Sequence, residues 1–262
     1  MTILLYTKGL ERIRAGISYG LINQDLADLR PTVEKLFTGG LTSSVTFSLS
    51  RDTRNKVIDP SEGTFVKVSE EVAGSVFGGD NSYSKSELDA RWFFPVLPKK
   101  RIPVISDSVI AFRVNTGYVG PLEDGGKVPL FERYFPGGVF SIRGFQLRSL
   151  GPKIRVATSN DVGSFATSDF VYGGNKQLIF NAEYIFPIIK PANINGVFFF
   201  DMGNAFDNGE SMFTLAGQRQ STGFELRWFS PLGPLRFAWG FPLDRTQDEK
   251  LLNFDFTFGS LF

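Results

Sequence analysis

Apolar and polar residues alternate one for one along most of this chain, in runs much longer than an ordinary strand. Within residues 11–20, Ile13, Ala15, Ile17 and Tyr19 interleave with Arg12, Arg14, Gly16 and Ser18. Within 43–50, Val45, Phe47 and Leu49 interleave with Ser44, Thr46 and Ser48. The same period runs through 83–97, 104–118, 177–186, 235–241 and 254–258, and 63–73, 195–205 and 219–230 complete about ten predicted strands. A period of two places successive side chains on opposite faces of a sheet, so one face is apolar and the other polar. Several runs approach or exceed the ~9–11 residues of a tilted membrane-spanning strand, where a soluble strand has ~5–6. Length therefore favours a sheet that crosses a bilayer.

The connections sort by parity. "LINQDLADLRPTVEKLFTGG", the stretch 119–175 and "DNGESMFTLAGQ" are long, whereas "LPKKRIP", "PIIKPAN" and "SPLGP" are short and rich in Pro and Gly. Long loops at one end and tight turns at the other are the pattern of an outer-membrane barrel, and a soluble sandwich has no reason to adopt it. Residues 20–40, 75–82, 119–175, 206–218 and 243–250 are thus expected at one end. The spacing of "DLADLRPTVEKLF" predicts a short surface helix inside the first of them.

Composition removes most chemistry. The chain has no Cys and no His, so thiolates, the usual general base and the commonest metal ligand are absent. Its 28 Lys+Arg against 27 Asp+Glu give no electrostatic case for nucleic acid. The 28 Phe, 7 Tyr and 3 Trp sit in a chain that is only 42% hydrophobic, a balance that suits an aromatic outer face around a polar interior. No apolar run approaches the ~18–20 residues of a membrane helix. "MTILLYTKGLERIRAG" has no basic start, apolar core or cleavage site, so any export signal is expected upstream of it. "GGVF" and "GGN" lack the Lys-Ser/Thr that a phosphate loop needs. The turn "PKKR" at 98–101 reads as solvated, with contact to lipid headgroups as the lesser alternative.

Four segments in collinear order, "FERYFPGGVFSIRGFQLRSLGP", "FFFDMGNAFD", "LRWFSPLGPLRFAWGFPL" and "FDFTFGSLF", closely resemble the barrel of the BamA family of outer-membrane assembly factors. Relatives of that family include mitochondrial sorting and chloroplast import channels and two-partner secretion transporters. The resemblance runs from about Arg14 onward. It implies an all-β transmembrane antiparallel β-barrel in a Gram-negative-type outer membrane, with these strands as the last ten of sixteen. Residues 1–262 would then be the C-terminal portion of that barrel, with the periplasmic repeat (POTRA) domains absent. The implied activity is folding and inserting β-barrel proteins by strand templating at a lateral seam, without enzyme chemistry, cofactor or metal. The implied partners are unfolded outer-membrane β-barrel proteins, outer-membrane lipids and accessory lipoproteins.

The resemblance also assigns residues. It implies that the surface loop 119–175 folds into the lumen, carrying Ile142, Arg143, Gly144 and Phe145, with Arg143 meeting Glu183 and Asp201 on the inner wall. Ile142 stands where the family usually has Val. Alternation independently puts Glu183 and Asp201 on the polar faces of their strands, against Tyr184 and Phe200. It also implies that Phe254, Phe256, Phe258, Gly259 and Phe262 form a terminal assembly signal and one side of the seam, with Phe262 where some members end in Trp. Two alternatives stay open: a polypeptide-secreting transporter of the two-partner type, and a passive porin-like barrel. Ten strands closed on themselves would leave too little lumen for the 119–175 loop. The sheet is therefore expected to be curved and open between residues 11–20 and 251–262, with Arg143 on its concave face.

Overall fold

The computed structural model describes residues 2–3, 12–24, 39–96, 107–123, 125–157, 167–247 and 249–259. Among them are thirteen strands: β1 (Thr2–Ile3), β2 (Ile13–Gln24), β3 (Gly40–Asp52), β4 (Gly63–Ala73), β5 (Tyr83–Pro95), β6 (Val109–Pro121), β7 (Lys153–Ala157), β8 (Thr167–Val171), β9 (Lys176–Ile189), β10 (Ile194–Phe206), β11 (Arg219–Ser230), β12 (Gly233–Pro242) and β13 (Asn253–Phe258). Eleven form one sheet in the order β1-β2-β3-β4-β5-β6-β9-β10-β11-β12-β13, and β7 and β8 form a separate hairpin. Every pairing is antiparallel. The ten long alternating runs are the ten long strands. β2 and β3 extend four and three residues further toward their shared loop than the alternation suggests, to Gln24 and from Gly40.

The stretch 119–175 holds the β7–β8 hairpin, whose five-residue strands are too short for alternation to register, and β6 itself continues to Pro121. The predicted helix in 20–40 and the basic turn at 98–101 lie outside the described residues.

Register fixes the two faces. Ile17 pairs with Phe47, Phe112 with Ala182, Phe198 with Tyr184 and Phe237 with Phe256 on the outer face. Rings stack from strand to strand there: Phe112 on Phe180, Phe186 on Phe198, and Phe224 on Trp239 at a centroid distance of 4.8 Å. Many of these side chains are exposed, as a face that meets hydrocarbon requires. The opposite face carries Asp89, Arg91, Arg113, Asn181, Asp201, Glu225 and Arg236. The sheet stays open: among the described residues β13 pairs only with β12, and β2 pairs with β3 and two residues of β1.

Candidate functional site

Between β6 and β9 the chain turns back onto the inner face and closes on itself. Gly137 and Gly138 adopt φ +114° and +90°, a region that disfavours side chains. The Gly138 amide, 3.1 Å from both, donates to the carbonyls of Ile142 and Phe145, and the Gly137 amide donates to Ser141 Oγ at 2.8 Å. This holds Ser141–Phe145 as a rigid protrusion. Ile142 and Phe145 are buried with Leu150 and Ile179 of β9. Gly203 on β10 leaves the space that Ile142 occupies, since a Cβ there would lie 3.1 Å from Ile142 Cδ1.

Gly144 has φ +87°, and a Cβ on it would sit 3.1 Å from the Gly240 carbonyl carbon and 3.2 Å from the Phe241 nitrogen of β12. Backbone meets backbone at this point, which only glycine on both sides permits. The Asn253 side-chain amide of β13 donates to the Gly144 carbonyl. Phe145 lies beneath the Arg219 guanidinium, 4.7 Å from its ring centroid.

Arg143 is fully inserted in the wall. Its Nε and Nη2 donate to Asp201 Oδ2 and Oδ1 at 2.8 and 2.7 Å, a bidentate fork, and its own amide donates to Oδ2 at 2.9 Å. Nη1 reaches Glu183 Oε1 at 2.7 Å and Glu225 Oε2 at 2.8 Å. The guanidinium carbon stands 3.8 Å from the Phe199 ring centroid. Thus the structure brings Arg143, Glu183 and Asp201 together.

It adds partners that the sequence reading did not name. Arg227 bridges Glu225 at 2.5 Å and Glu183 at 2.6 Å, and Arg236 donates twice to Glu225, at 2.7 and 2.9 Å. Arg227 and Arg236 are register partners across β11 and β12, so two cations face each other, and Glu225, two residues along, bridges them. Three guanidinium groups and three carboxylates make the cluster electrically neutral, and Asn181 adds a hydrogen bond to Asp201 Oδ1 at 2.8 Å. From the far side Arg113 donates to the Phe140 carbonyl at 2.9 Å and to Asp89.

Chemically the cluster is a clamp. Its carboxylates are engaged by arginines, and among the described residues no group of three or more His, Cys, Asp or Glu could hold a metal ion. What it can do is fix the loop against β9, β10, β11 and β12.

The terminal strand differs. Phe254, Phe256 and Phe258 face outward and are each more than half exposed, with Phe256 5.0 Å from Phe237 and Phe254 5.2 Å from Trp239. Gly259 has φ +79°, and its amide donates to the Pro234 carbonyl at 2.9 Å. Facing inward, Asp255 Oδ2 and Thr257 Oγ1 are buried without a hydrogen-bond partner among the described residues. Phe262 lies outside the described residues.

Tall antiparallel strands, an aromatic outer face and a surface loop clamped to the inner wall define an integral outer-membrane β-barrel with an in-folded loop. The chain belongs to the Omp85 superfamily, whose domain matches residues 22–262. It is 33% identical over 94% of its length to the outer membrane protein assembly factor BamA of Nitratidesulfovibrio vulgaris, and 26% identical over 83% to that of Neisseria meningitidis. It spans only 30% and 28% of the lengths of these two proteins. A sorting and assembly machinery component 50 homolog of Bos taurus is 34% identical over 43% of this chain and 22% of its own. Among solved structures, BamA from Haemophilus ducreyi lacking POTRA domains 1–3 shares the fold, with a TM-score of 0.74 and 22% identity, over 93% of this chain and 50% of that one. CdiB from Acinetobacter baumannii shares it more loosely, with a TM-score of 0.58 and 15% identity over 97% and 40%.

Proposed function

We propose that the chain is the C-terminal part of the barrel of an outer-membrane assembly factor, whose further strands pair its two free edges. In this reading it folds and inserts client β-barrel proteins by templating their strands at a seam beside β13. Relatives named as assembly factors support it. The observation that carries it is the clamp: Arg143 ties the loop to β9, β10, β11 and, through Glu225 and Arg236, to β12, while Asn253 ties β13 to the same loop. The loop therefore braces the strands that border the free edge. A strand edge offers unpaired amides and carbonyls, which in hydrocarbon cost several kcal/mol each and so favour pairing with an incoming strand. The work requires no covalent chemistry and no cofactor. Its partners are unfolded outer-membrane β-barrel proteins, the surrounding outer-membrane lipids and accessory lipoproteins of an assembly complex.

Arg143→Ala, introduced into the full-length protein in cells depleted of the wild type, tests the reading. Client barrels should fail to assemble although the variant itself reaches the outer membrane. Normal client assembly with a folded variant would refute it.

Export through the lumen and passive conduction both require an open path. The loop occupies the inner wall, and the turn between β3 and β4 crosses below it, where Asn195 of β10 donates to Asp59 at 3.2 Å. Stable open-channel conductance of the unmodified protein in planar bilayers would favour a transporter or porin instead.

A further inference from the structure

The loop between β10 and β11, residues 207–218, does not turn onto the inner face as the Arg143 loop does. It folds down over the outer face. Lys176, in the outward row with Tyr118 and Phe206, donates from Nζ to the carbonyls of Asn208 and Glu210 at 2.9 and 2.8 Å. Asn204 of β10, in the outward row with Leu178, donates to the Gly217 carbonyl at 2.9 Å. Thr116 of β6, also in that row, brings its hydroxyl to 3.9 Å from Met212 Sδ. Gly217 lies against the ring of Phe206, where a Cβ would be 3.0 Å from Cε1, and Phe206 is accordingly buried. Three strands thus anchor this loop on the surface that faces lipid. The neighbouring loop 243–252 makes the contrast, because Asp244 and Glu249 tie it to Arg219 on the inner face.

The polar groups of the 207–218 loop are largely satisfied within the protein. Gln218 binds the Met212 carbonyl, Glu210 accepts from the Asp207 amide, and Tyr172 donates to Asp207. Its tip, 208–211, is exposed and polar, but beyond Met212 it turns two large apolar side chains outward, Phe213 at 74% exposure and Leu215 at 69%, with Thr214 and Ala216 exposed beside them. The two anchoring rows lie six and eight residues along the strands from the Ile110–Tyr184–Phe198 row, about 20 and 26 Å at ~3.3 Å each, which is the reach of the apolar band. We propose that residues 212–215 form an interfacial anchor whose occupant is the outer leaflet of the membrane, with Phe213 and Leu215 inserted at the boundary between headgroups and acyl chains. The patch is continuous with the lipid-facing surface of β6, β9 and β10, and aromatic and aliphatic side chains at that depth partition favourably into the interface. Such an anchor would set the height of the barrel in the membrane at β10 and β11, independently of any assembly activity.

The chain contains no cysteine, so an introduced thiol is the single label site within it, any cysteine in the rest of the full-length protein being first replaced by serine. Phe213→Cys, Leu215→Cys and, as the reference, Gly209→Cys, where a Cβ meets open space, are each labelled with an environment-sensitive fluorophore in the full-length protein in lipid vesicles. Quenching by lipids carrying a nitroxide just below the headgroup is compared with quenching by aqueous iodide. The lipid-to-iodide quenching ratio should be several-fold higher at Phe213 and Leu215 than at Gly209. Equal ratios at all three sites would overturn the proposal.

Discussion

The inner face of this sheet has two walls with different chemistry. On β2 and β3 it presents a run of Gly16, Ser18, Gly20, Ser44, Thr46, Ser48 and Ser50, small groups with little reach, and charge returns only with Lys67 and Glu71 of β4. On β9 to β12 it carries Asn181, Glu183, Asp201, Glu225, Arg227 and Arg236, and the loop arginine fills the space between them. Both walls have the same backbone ladder, so hydrogen bonding within the sheet cannot be what separates them. The difference lies in what each wall can hold. The first wall offers short hydroxyls, whereas the second specifies the position of one loop through directed, charge-assisted bonds. A buried ion cluster is a weak source of net stability but a strong determinant of geometry, because every member left without its partner is heavily penalised.

Removing Arg143 should break the comparison most severely. Arg143→Ala leaves Asp201 without its cation beside Glu183 and Glu225, which keep Arg227 and Arg236, at about 3–5 kcal/mol for an uncompensated buried charge. Residues 130–152 should then become protease-sensitive while the sheet persists. Arg143→Lys keeps the charge but loses the fork on Asp201 and the stacking on Phe199, and should recover only part of the protection. Ser48→Ala on the plain wall should change stability by less than ~0.5 kcal/mol. Equal proteolysis of the Arg143→Ala and Ser48→Ala variants would mean that the two walls do not differ in this way.

The backbone contact comes next. At φ +87°, Gly144→Ala is strained by ~1–3 kcal/mol, and Gly240→Ala drives a methyl into Gly144 itself. Either substitution should lift the loop off β12 and raise its protease sensitivity, though less than Arg143→Ala does. Gly209→Ala, with open space around it, should be silent. Protection unchanged by Gly240→Ala would show that the charges alone position the loop.

Much of this was legible beforehand, and the remainder was not for physical reasons. The long strands were readable because a bilayer-facing sheet must alternate over many residues, and Phe254, Phe256 and Phe258 or Ile13, Ile17 and Tyr19 do so. The β7–β8 hairpin was not, because five residues of "KIRVA" carry too few periods. Arg143, Glu183 and Asp201 came together through family resemblance, while alternation supplied only the face of the two carboxylates. Glu225 escaped because its importance depends on register: it matters only once the turn after Ser230 sets Arg227 opposite Arg236. Asn253 and the outward course of residues 207–218 escaped for a similar reason, since the path of a loop has no period. Residues 20–40 remain an expectation, as their central part lies outside the described residues.

A smaller effect is expected at the terminal strand. Asn253→Ala removes the hydrogen bond to the Gly144 carbonyl, worth ~0.5–1.5 kcal/mol. β13 shares only six register pairs with β12, against thirteen between β9 and β10, so little else holds it. Amide exchange of residues 253–258 should accelerate severalfold, with no change in β9 or β10. No acceleration would leave the loop and the terminal strand uncoupled.

The smallest effect lies on the loop after β12, where the contrast between walls extends beyond the membrane. Glu249 and Asp244 hold Arg219, and Arg219 in turn lies over Phe145. Partial burial pushes the Glu249 carboxyl up, but the Arg219 guanidinium and the Thr246 amide, 2.9 Å away, outweigh it, and the group titrates below its ordinary 4.5. A carboxylate depressed in the folded state contributes stability above its unfolded value and loses it as pH falls through the folded value. The contact should therefore be intact at pH 7 and weaken below about pH 4.5, with a magnitude of no more than ~0.2–1 kcal/mol, since this pair is partly exposed and screened by salt. Amide exchange of residues 244–250 should rise between pH 7 and pH 4 beyond the intrinsic dependence, and Glu249→Gln should abolish that excess. The same titration should leave residues 141–145 protected, because Arg143 is held by several groups at once and by Asp201 in two bonds. Loss of protection at 141–145 in step with 244–250 would show instead that Arg219, through Phe145, carries more of the loop than the inner wall does.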